Sequence, residues 1–296
     1  MRRKLVKQGI GGLTLCLPKK WTDFNNLKSG DEIEIIEEEN KLSLDITSSK
    51  KQLKKIEINL DFQTSNIIRS YIGGLYRAGY DEIIVHFTDS KIITELQNVV
   101  DSLYGLEIFD ITNKSCTIKA VFKLETTEIK SHFLKLIYTV KMMQETIIND
   151  IKNKNFKSEI ELYHFRNNVL KQRDLIARTI IQLKLLDNKT FPYYLLSFNV
   201  WNIARDYQYI YLNLDKNKEI TKKNYEYLED VNKLFNESLD RLKTHSLFNI
   251  HKKYATLLKK GLELMKTEEA SVLVSFCINI LITLQSSNSS ILLLNI

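Results

Sequence analysis

Apolar and polar residues alternate with a period of two over the first part of the chain, and that pattern later gives way to a helical one. Leu13–Leu17 reads L-T-L-C-L and Glu32–Ile36 reads E-I-E-I-I, while Lys4–Gln8 and Lys41–Ile46 complete a set of four short predicted strands. Between the second and third, "PKKWTDFNNLKSGDE" predicts one helical turn closed by the turn signal Ser29-Gly30-Asp31. Strands this short offer too little apolar surface for a core of their own. The stretch from 1 to about 47 therefore calls for a partner, and a second copy is the simplest one.

From about 52 to 124 strand and helix patterns alternate. "KIEINLDF" precedes a helical stretch from Asn66 to Ala78, and "DEIIVHF" precedes a second from Lys91 to Tyr104; "LEIFDIT" and "CTIKAVFKL" follow. This β-α-β-α-β-β order predicts a small sheet with helices on one face. From Glu128 to about Ser287 the apolar residues recur at three- and four-residue spacing, first in "FLKLIYTVKMMQETIINDI". Further helices are predicted at 157–186, 191–215, 222–245, 247–264 and 267–286, broken at "KNKN", "LDNKTFP", "LDKNKEI", "KTHS" and "MKTEEA". Pro192, just beyond Asn188, starts one of them. Six helices with short connections predict antiparallel bundles, in one arrangement two sets of three. The fold class is thus multidomain α+β, with domains at 1–50, 51–124 and 125–296.

Composition adds a little to this. Nine glycines and two prolines in 296 residues fit long, uninterrupted helices. A net charge of +7 permits a polyanionic partner without requiring one. Cys16, Cys116 and Cys277 are far apart and flanked by apolar residues, the pattern of buried thiols in a reducing compartment. The basic N-terminus is not followed by the apolar stretch of a leader peptide. The apolar run Val272–Leu284 is shorter than the ~20 residues a membrane span needs. The expected location is the cytoplasm, with no membrane-embedded segment.

Gly9-Ile10-Gly11-Gly12 could be taken for a phosphate loop. Such loops connect a strand to a helix, whereas these glycines lie between two strands and fit a hairpin turn with φ > 0. Six basic residues, Arg2, Arg3, Lys4, Lys7, Lys19 and Lys20, occupy the first twenty-one positions with no acid among them. Asp23, Asp31, Glu32, Glu34 and Glu37 to Glu39 follow, so the two signs are segregated. This is either a solvated strand or a positive face that dimerisation would double, suited to DNA phosphates.

The stretch "RRKLVKQGIGGLTLCLPKKWTDFNNLKSGDEIEIIEEENKLSL" resembles the AbrB/SpoVT/MazE swapped-hairpin DNA-binding domain. The resemblance rests on the basic strand, the glycine hairpin, Leu17-Pro18-Lys19-Lys20, the short helix and Leu27-Lys28-Ser29-Gly30-Asp31-Glu32. It implies two chains interleaved into one barrel-like homodimer that presents Arg2, Arg3, Lys4, Lys7, Lys19 and Lys20 to double-stranded DNA. Downstream, "NIIRSYIGGLYRAGYDEIIVHF" and the helical remainder resemble archaeal PhoU-type phosphate-uptake regulators, in which this N-terminal domain precedes a PhoU-like helical bundle.

That family implies a metal ion on the bundle, held by E-x-x-x-D pairs one helical turn apart. The matching stretch here is "VWNIARDYQYIY", in which Asn202 stands where the family has Glu, and "FCINILITLQ" lacks both acids. Asp206 is left with two readings: an ion pair with the basic surface, or, with Asn202, a metal site. Glu226 and Asp230 have the same spacing but read as a solvated acidic face. His86, His132, His164, His245 and His251 support no metal or catalytic centre, and neither G-x-S-x-G nor H-E-x-x-H is present, so no enzyme is expected. Tyr193, Tyr194, Phe198, Trp201, Tyr207 and Tyr211 recur near helical spacing and read as core.

The resulting expectation is a DNA-binding regulator of phosphate uptake with a sensory or partner-binding bundle. One rival is an adaptor that docks its bundle on the ATPase subunit of a phosphate transporter and uses its N-terminal domain only to dimerise. The other is an antitoxin-like repressor, against which stands the large folded region that follows the N-terminal domain.

Overall fold

The computed structural model describes residues 2–38, 41–45, 53–61, 64–122, 128–185, 190–214, 220–240, 248–267 and 271–294. The expected domain boundaries at 50/51 and 124/125, His245, the "KTHS" connection and parts of "LDNKTFP", "LDKNKEI" and "MKTEEA" lie outside these residues. The chain forms two compact units, Met1–Leu53 and Lys54–Ile296.

In the first unit, β1 (Val6–Gln8) and β2 (Gly12–Thr14) form an antiparallel hairpin that pairs Val6 with Thr14 and Gln8 with Gly12. Gly9 and Gly11 turn the chain at φ 66° and 92°, a region that side-chain-bearing residues rarely enter. The strands are shorter than the alternation predicts. Beyond the hairpin, Arg2–Leu5 and Leu15–Leu17 carry no ladder partner among the described residues. Helix α1 (Lys19–Phe24) is the expected single turn, after which Gly30 takes φ 97° and Asp31 accepts from the Lys28 backbone N–H at 2.6 Å. Strands β3 (Glu34–Glu38) and β4 (Lys41–Asp45) make a second antiparallel hairpin.

The second unit combines the middle and C-terminal segments, which the sequence treats as separate domains. Strands β5 (Lys55–Asn59), β6 (Glu82–His86), β7 (Leu106–Phe109) and β8 (Ser115–Ala120) form one sheet in the order β5-β6-β8-β7. Only the β5–β6 pair is parallel, as the helical crossover between them requires. Ile83 and Val85 alternate inward with Cys116 and Ile118. They share a core with Ile68, Ile72 and Tyr76 of α2 (Ser65–Arg77) and with Leu96, Val99 and Val100 of α3 (Ile92–Asp101).

Helices α4 (Ile129–Asn153), α5 (Glu159–Gln182) and α6 (Phe191–Leu212) pack on one another. So do α7 (Lys222–Asp240), α8 (Phe248–Leu264) and α9 (Val272–Leu293), and the close α6–α9 contact joins the two sets of three around one core. Lys154, in the left-handed region, ends α4 within "KNKN", and Pro192 lies in the first turn of α6. Arg69, Arg77 and Arg178 bind α2 and the start of β6 to α5, so sheet layer and bundle meet through charged groups.

Two expectations are corrected. Cys16 is exposed, since it alternates with Leu15 and Leu17 onto the other face of its segment, whereas Cys116 and Cys277 are buried as expected. Desolvation pushes the Cys116 thiol up to about 11 and Cys277 further. The last helix begins at Val272 and runs to Leu293, well past the apolar run that ends at Leu284. By length and composition it could cross a membrane. Here Leu273, Val274, Cys277, Ile280, Leu281 and Leu284 are buried in the bundle core.

Candidate functional site

Arg2, Arg3, Lys4, Lys7, Lys19 and Lys20 are all exposed in the first unit. Lys7 lies opposite Leu13 in the hairpin, and Lys19 and Lys20 open α1. Around them no described residue of the unit is buried, while Leu5, Val6, Ile10, Leu13, Leu15, Phe24, Ile35 and Leu42 are each more than half exposed. A free pair of two-stranded hairpins with this much bare apolar surface is marginal in water.

On the bundle, Asn202 and Asp206 share a cleft of about 230 Å³ with Arg205, Asn279, Ile282 and Thr283. Asp206 is buried and its carboxylate lies 3.6 Å from Arg205 Nη2. Desolvation raises its pKa above the ordinary carboxylate range, and Arg205 opposes the rise. One carboxylate facing a guanidinium, with two carboxamides and a hydroxyl, does not fit a multinuclear metal site. Among the described residues no three His, Cys, Asp or Glu side chains gather to hold a metal ion. Glu226 and Asp230 pair with Lys222 at 3.8 Å and Lys260 at 2.7 Å.

The aromatic series on α6 is core with polar anchors. Tyr207 OH donates to Asn232 Oδ1 at 2.7 Å and accepts from Gln144 Nε2 at 2.9 Å. Tyr211 OH donates to Asp150 and accepts from the Ser158 backbone N–H at 2.9 Å, which ties α4, the start of α5 and α6 together. Phe198 and Trp201 stack on Arg173, their ring centroids 4.7 and 4.5 Å from its guanidinium carbon.

That arginine belongs to a constellation that sequence reasoning missed. Asp174 of α5 is fully buried and accepts from Arg69 Nη2 at 2.9 Å, Arg77 Nη1 at 3.1 Å and Arg173 Nε at 3.0 Å. Arg69 also donates through Nη1 to Ser102 Oγ at 2.5 Å. Burial pushes the pKa values of Arg69 and Arg173 down, Asp174 holds them up, and Arg77 pushes both down again. One turn further on, Arg178 pairs with Asp81 at 3.0 Å. The available signal was "RSYIGGLYR" and "RDLIAR", arginines at positions where helical period asks for a buried face.

No family model matches the chain, and no solved structure matches it. Among curated proteins, a Toll-like receptor 4 from Pinctada imbricata is 29% identical over 116 residues, 38% of this chain and 12% of the receptor. So small a share of that protein carries neither fold nor function across to this chain.

Proposed function

We propose that the protein is a dimeric DNA-binding transcriptional regulator of phosphate uptake, of the archaeal PhoU type with an AbrB/SpoVT/MazE-like N-terminal domain and a PhoU-like bundle. The observation that carries the reading is the first unit itself: six exposed basic residues, no acid among the first twenty-two positions, and no buried residue among those described. A second copy interleaved with the first would cover the bare apolar residues and double the positive face. Arg2, Arg3, Lys4, Lys7, Lys19 and Lys20 then meet DNA, mostly at phosphates, which position a protein without reading sequence. The link to phosphate uptake, and the bundle as the sensory or partner-binding part, rest on the sequence resemblance.

The test is fluorescence anisotropy of labelled duplex from the gene's own upstream region, at low and near-physiological salt. The comparison protein carries Arg2, Arg3, Lys4 and Lys7 all changed to Glu, after light scattering has shown that it keeps the wild-type mass. Wild type should bind with log affinity falling by about 0.9 per neutralised phosphate for each decade of salt, and the variant should not bind. Equal behaviour of the two would leave the basic strand as a solvated edge. The transporter adaptor, with an N-terminal unit that only dimerises, would then lead.

A further inference from the structure

The arrangement around Asp174 is over-supplied with positive charge for a structural clamp. Arg178, on the same helix, holds Asp81 one to one. At Asp174 three guanidiniums share one carboxylate, which leaves two positive charges uncompensated, and Arg166 adds its charge to the field at Arg69. Three arginines carry about fifteen N–H donors. Hydrogen bonds from Arg69, Arg77 and Arg173 to Asp174 and Ser102 engage five of them. Among the described residues the buried Arg166 Nε has no acceptor, which is also true of Arg178 Nε. A buried donor without a partner is costly, and like charges held together in a poorly solvated place repel.

The site is also preorganised and still reachable. Arg173 packs on Phe198 and Trp201 and bonds Asp174, so its guanidinium has little freedom left to lose. Arg77 lies back along α2 over Gly73 and Gly74, where a Cβ on Gly73 would touch its Nη1 at 3.4 Å. This gives the glycine pair, which makes no phosphate loop, a place in the same constellation. The side chains of Arg69 and Arg77 remain 20% and 28% exposed, while Asp174 is fully covered. Arg173 itself is 8% exposed.

We propose that the junction of α2 and α5 binds a small tetrahedral oxyanion of phosphate chemistry through Arg69, Arg77, Arg166 and Arg173. Planar guanidiniums with paired N–H groups match phosphate oxygens, and the anion would supply the charge and the acceptors that Asp174 alone does not. The site uses none of the N-terminal lysines and arginines, and its test does not depend on DNA binding.

The experiment is calorimetric titration of the full chain with inorganic phosphate and, in parallel, phenyl phosphate at matched ionic strength. Wild type, Arg166→Gln and Arg77→Gln are compared, and circular-dichroism melting without phosphate checks each fold. Wild type should bind at least one of the two, and each variant should bind it about tenfold or more weakly, the effect of one lost charge-assisted hydrogen bond. Without phosphate, Arg166→Gln should melt no lower than wild type, because a repelling charge has been removed from beside Arg69. Binding of inorganic phosphate alone would identify the free ion as the ligand, and equal binding of phenyl phosphate would identify a monoester. Absence of binding by wild type overturns the proposal. So does binding that both variants retain in full, which would place the anion elsewhere on the chain.

Discussion

Arg178 Nη2 lies 3.0 Å from Asp81 Oδ1, and the same guanidinium donates through Nη1 to the carbonyls of Tyr76 and Tyr80 at 2.9 and 2.7 Å. One buried cation thereby joins the end of α2 and the approach to β6 to the C-terminal part of α5. Replacing Arg178 with Met should cost about 3–5 kcal/mol, because two carbonyls lose their donor and Asp81 loses its cation, keeping only Gln182 Nε2 and the Lys54 backbone N–H. The double variant Arg178→Met, Asp81→Asn should recover part of that loss. Urea unfolding of the four proteins of the cycle reads the coupling; additive single effects would show that the pair is not acting as a unit.

The chain from Gln144 through Tyr207 to Asn232 joins α4, α6 and α7 inside the bundle. Tyr207→Phe keeps the ring but leaves a carboxamide donor and a carboxamide acceptor facing the place of the lost hydroxyl. The cost should be about 1–3 kcal/mol, the penalty for unsatisfied buried polar groups rather than for lost apolar area. Equilibrium unfolding measures it, and an unchanged midpoint would mean that Gln144 and Asn232 find each other or water.

How far the sequence reveals these contacts depends on their range. Helical period places α4 to α8 within a few residues of their observed ends, because each buries a stripe that repeats locally. The glycine hairpin is equally local. The arginine constellation is not, since Arg69 and Arg77 meet Asp174 about a hundred residues further along, and a charged residue in a helix reads by default as solvated. The end of α9 is hidden for a different reason. The expected helix ends at 286, yet Ser286 and Ser287 donate back to the Thr283 carbonyl and Asn199 donates to Ser287, so these polar groups are satisfied without leaving the helix. Cys16 reads as buried because its neighbours are apolar, yet period two puts it with Thr14 on the face opposite Leu13, Leu15 and Leu17, and it is exposed.

Asp206 gives a pH dependence with a definite sign. Its folded-state pKa is raised, chiefly by desolvation, so the native state holds the proton more tightly than the unfolded one. Its contribution to stability is full below the unfolded carboxylate value and is lost as pH rises through the raised folded value. Asp206→Asn should therefore melt at a higher temperature than wild type at neutral pH, and the gap should close on acidification into the ordinary carboxylate range. If Asp206 held a metal ion instead, the variant would melt lower in metal-supplemented buffer, and chelation would lower wild type to match it.

The first unit should be held together across copies by the residues that one copy leaves bare. Leu13 and Leu15 are 65% and 52% exposed in the single chain, next to a hairpin of only three residue pairs. Changing both to Asp would place two charges where a covering chain should lie, at a cost of several kcal/mol for any buried interface. Sedimentation velocity should then show wild type as a dimer and the variant as a monomer, with helical circular dichroism from the second unit unchanged. A variant that sediments like wild type would show that these leucines face water in the assembled protein too.

Gly261 on α8 sets the spacing of the last three helices. A Cβ built there would stand 2.0 Å from Tyr227 Oη and 2.9 Å from Ile278 Cγ1, so α8 approaches α7 and α9 more closely than any side chain permits. Tyr227 cannot simply move away, since its ring is fully buried and its hydroxyl donates to the Leu257 carbonyl at 3.1 Å. Two effects of Gly261→Ala compete. Helix propensity favours alanine by about 1 kcal/mol, while overpacking a filled core costs about 1–3 kcal/mol. A displaced Tyr227 would also lose its hydrogen bond, worth about 1 kcal/mol. The balance predicts a net loss of about 1–3 kcal/mol, read as a lower urea midpoint with an unchanged slope. Tyr227→Phe in the same background should recover part of it, because removing the hydroxyl removes the atom that a new methyl would strike first. A Gly261→Ala protein as stable as wild type would mean that α8 can slide outward at little cost, and that the close approach of these helices is not enforced by the glycine.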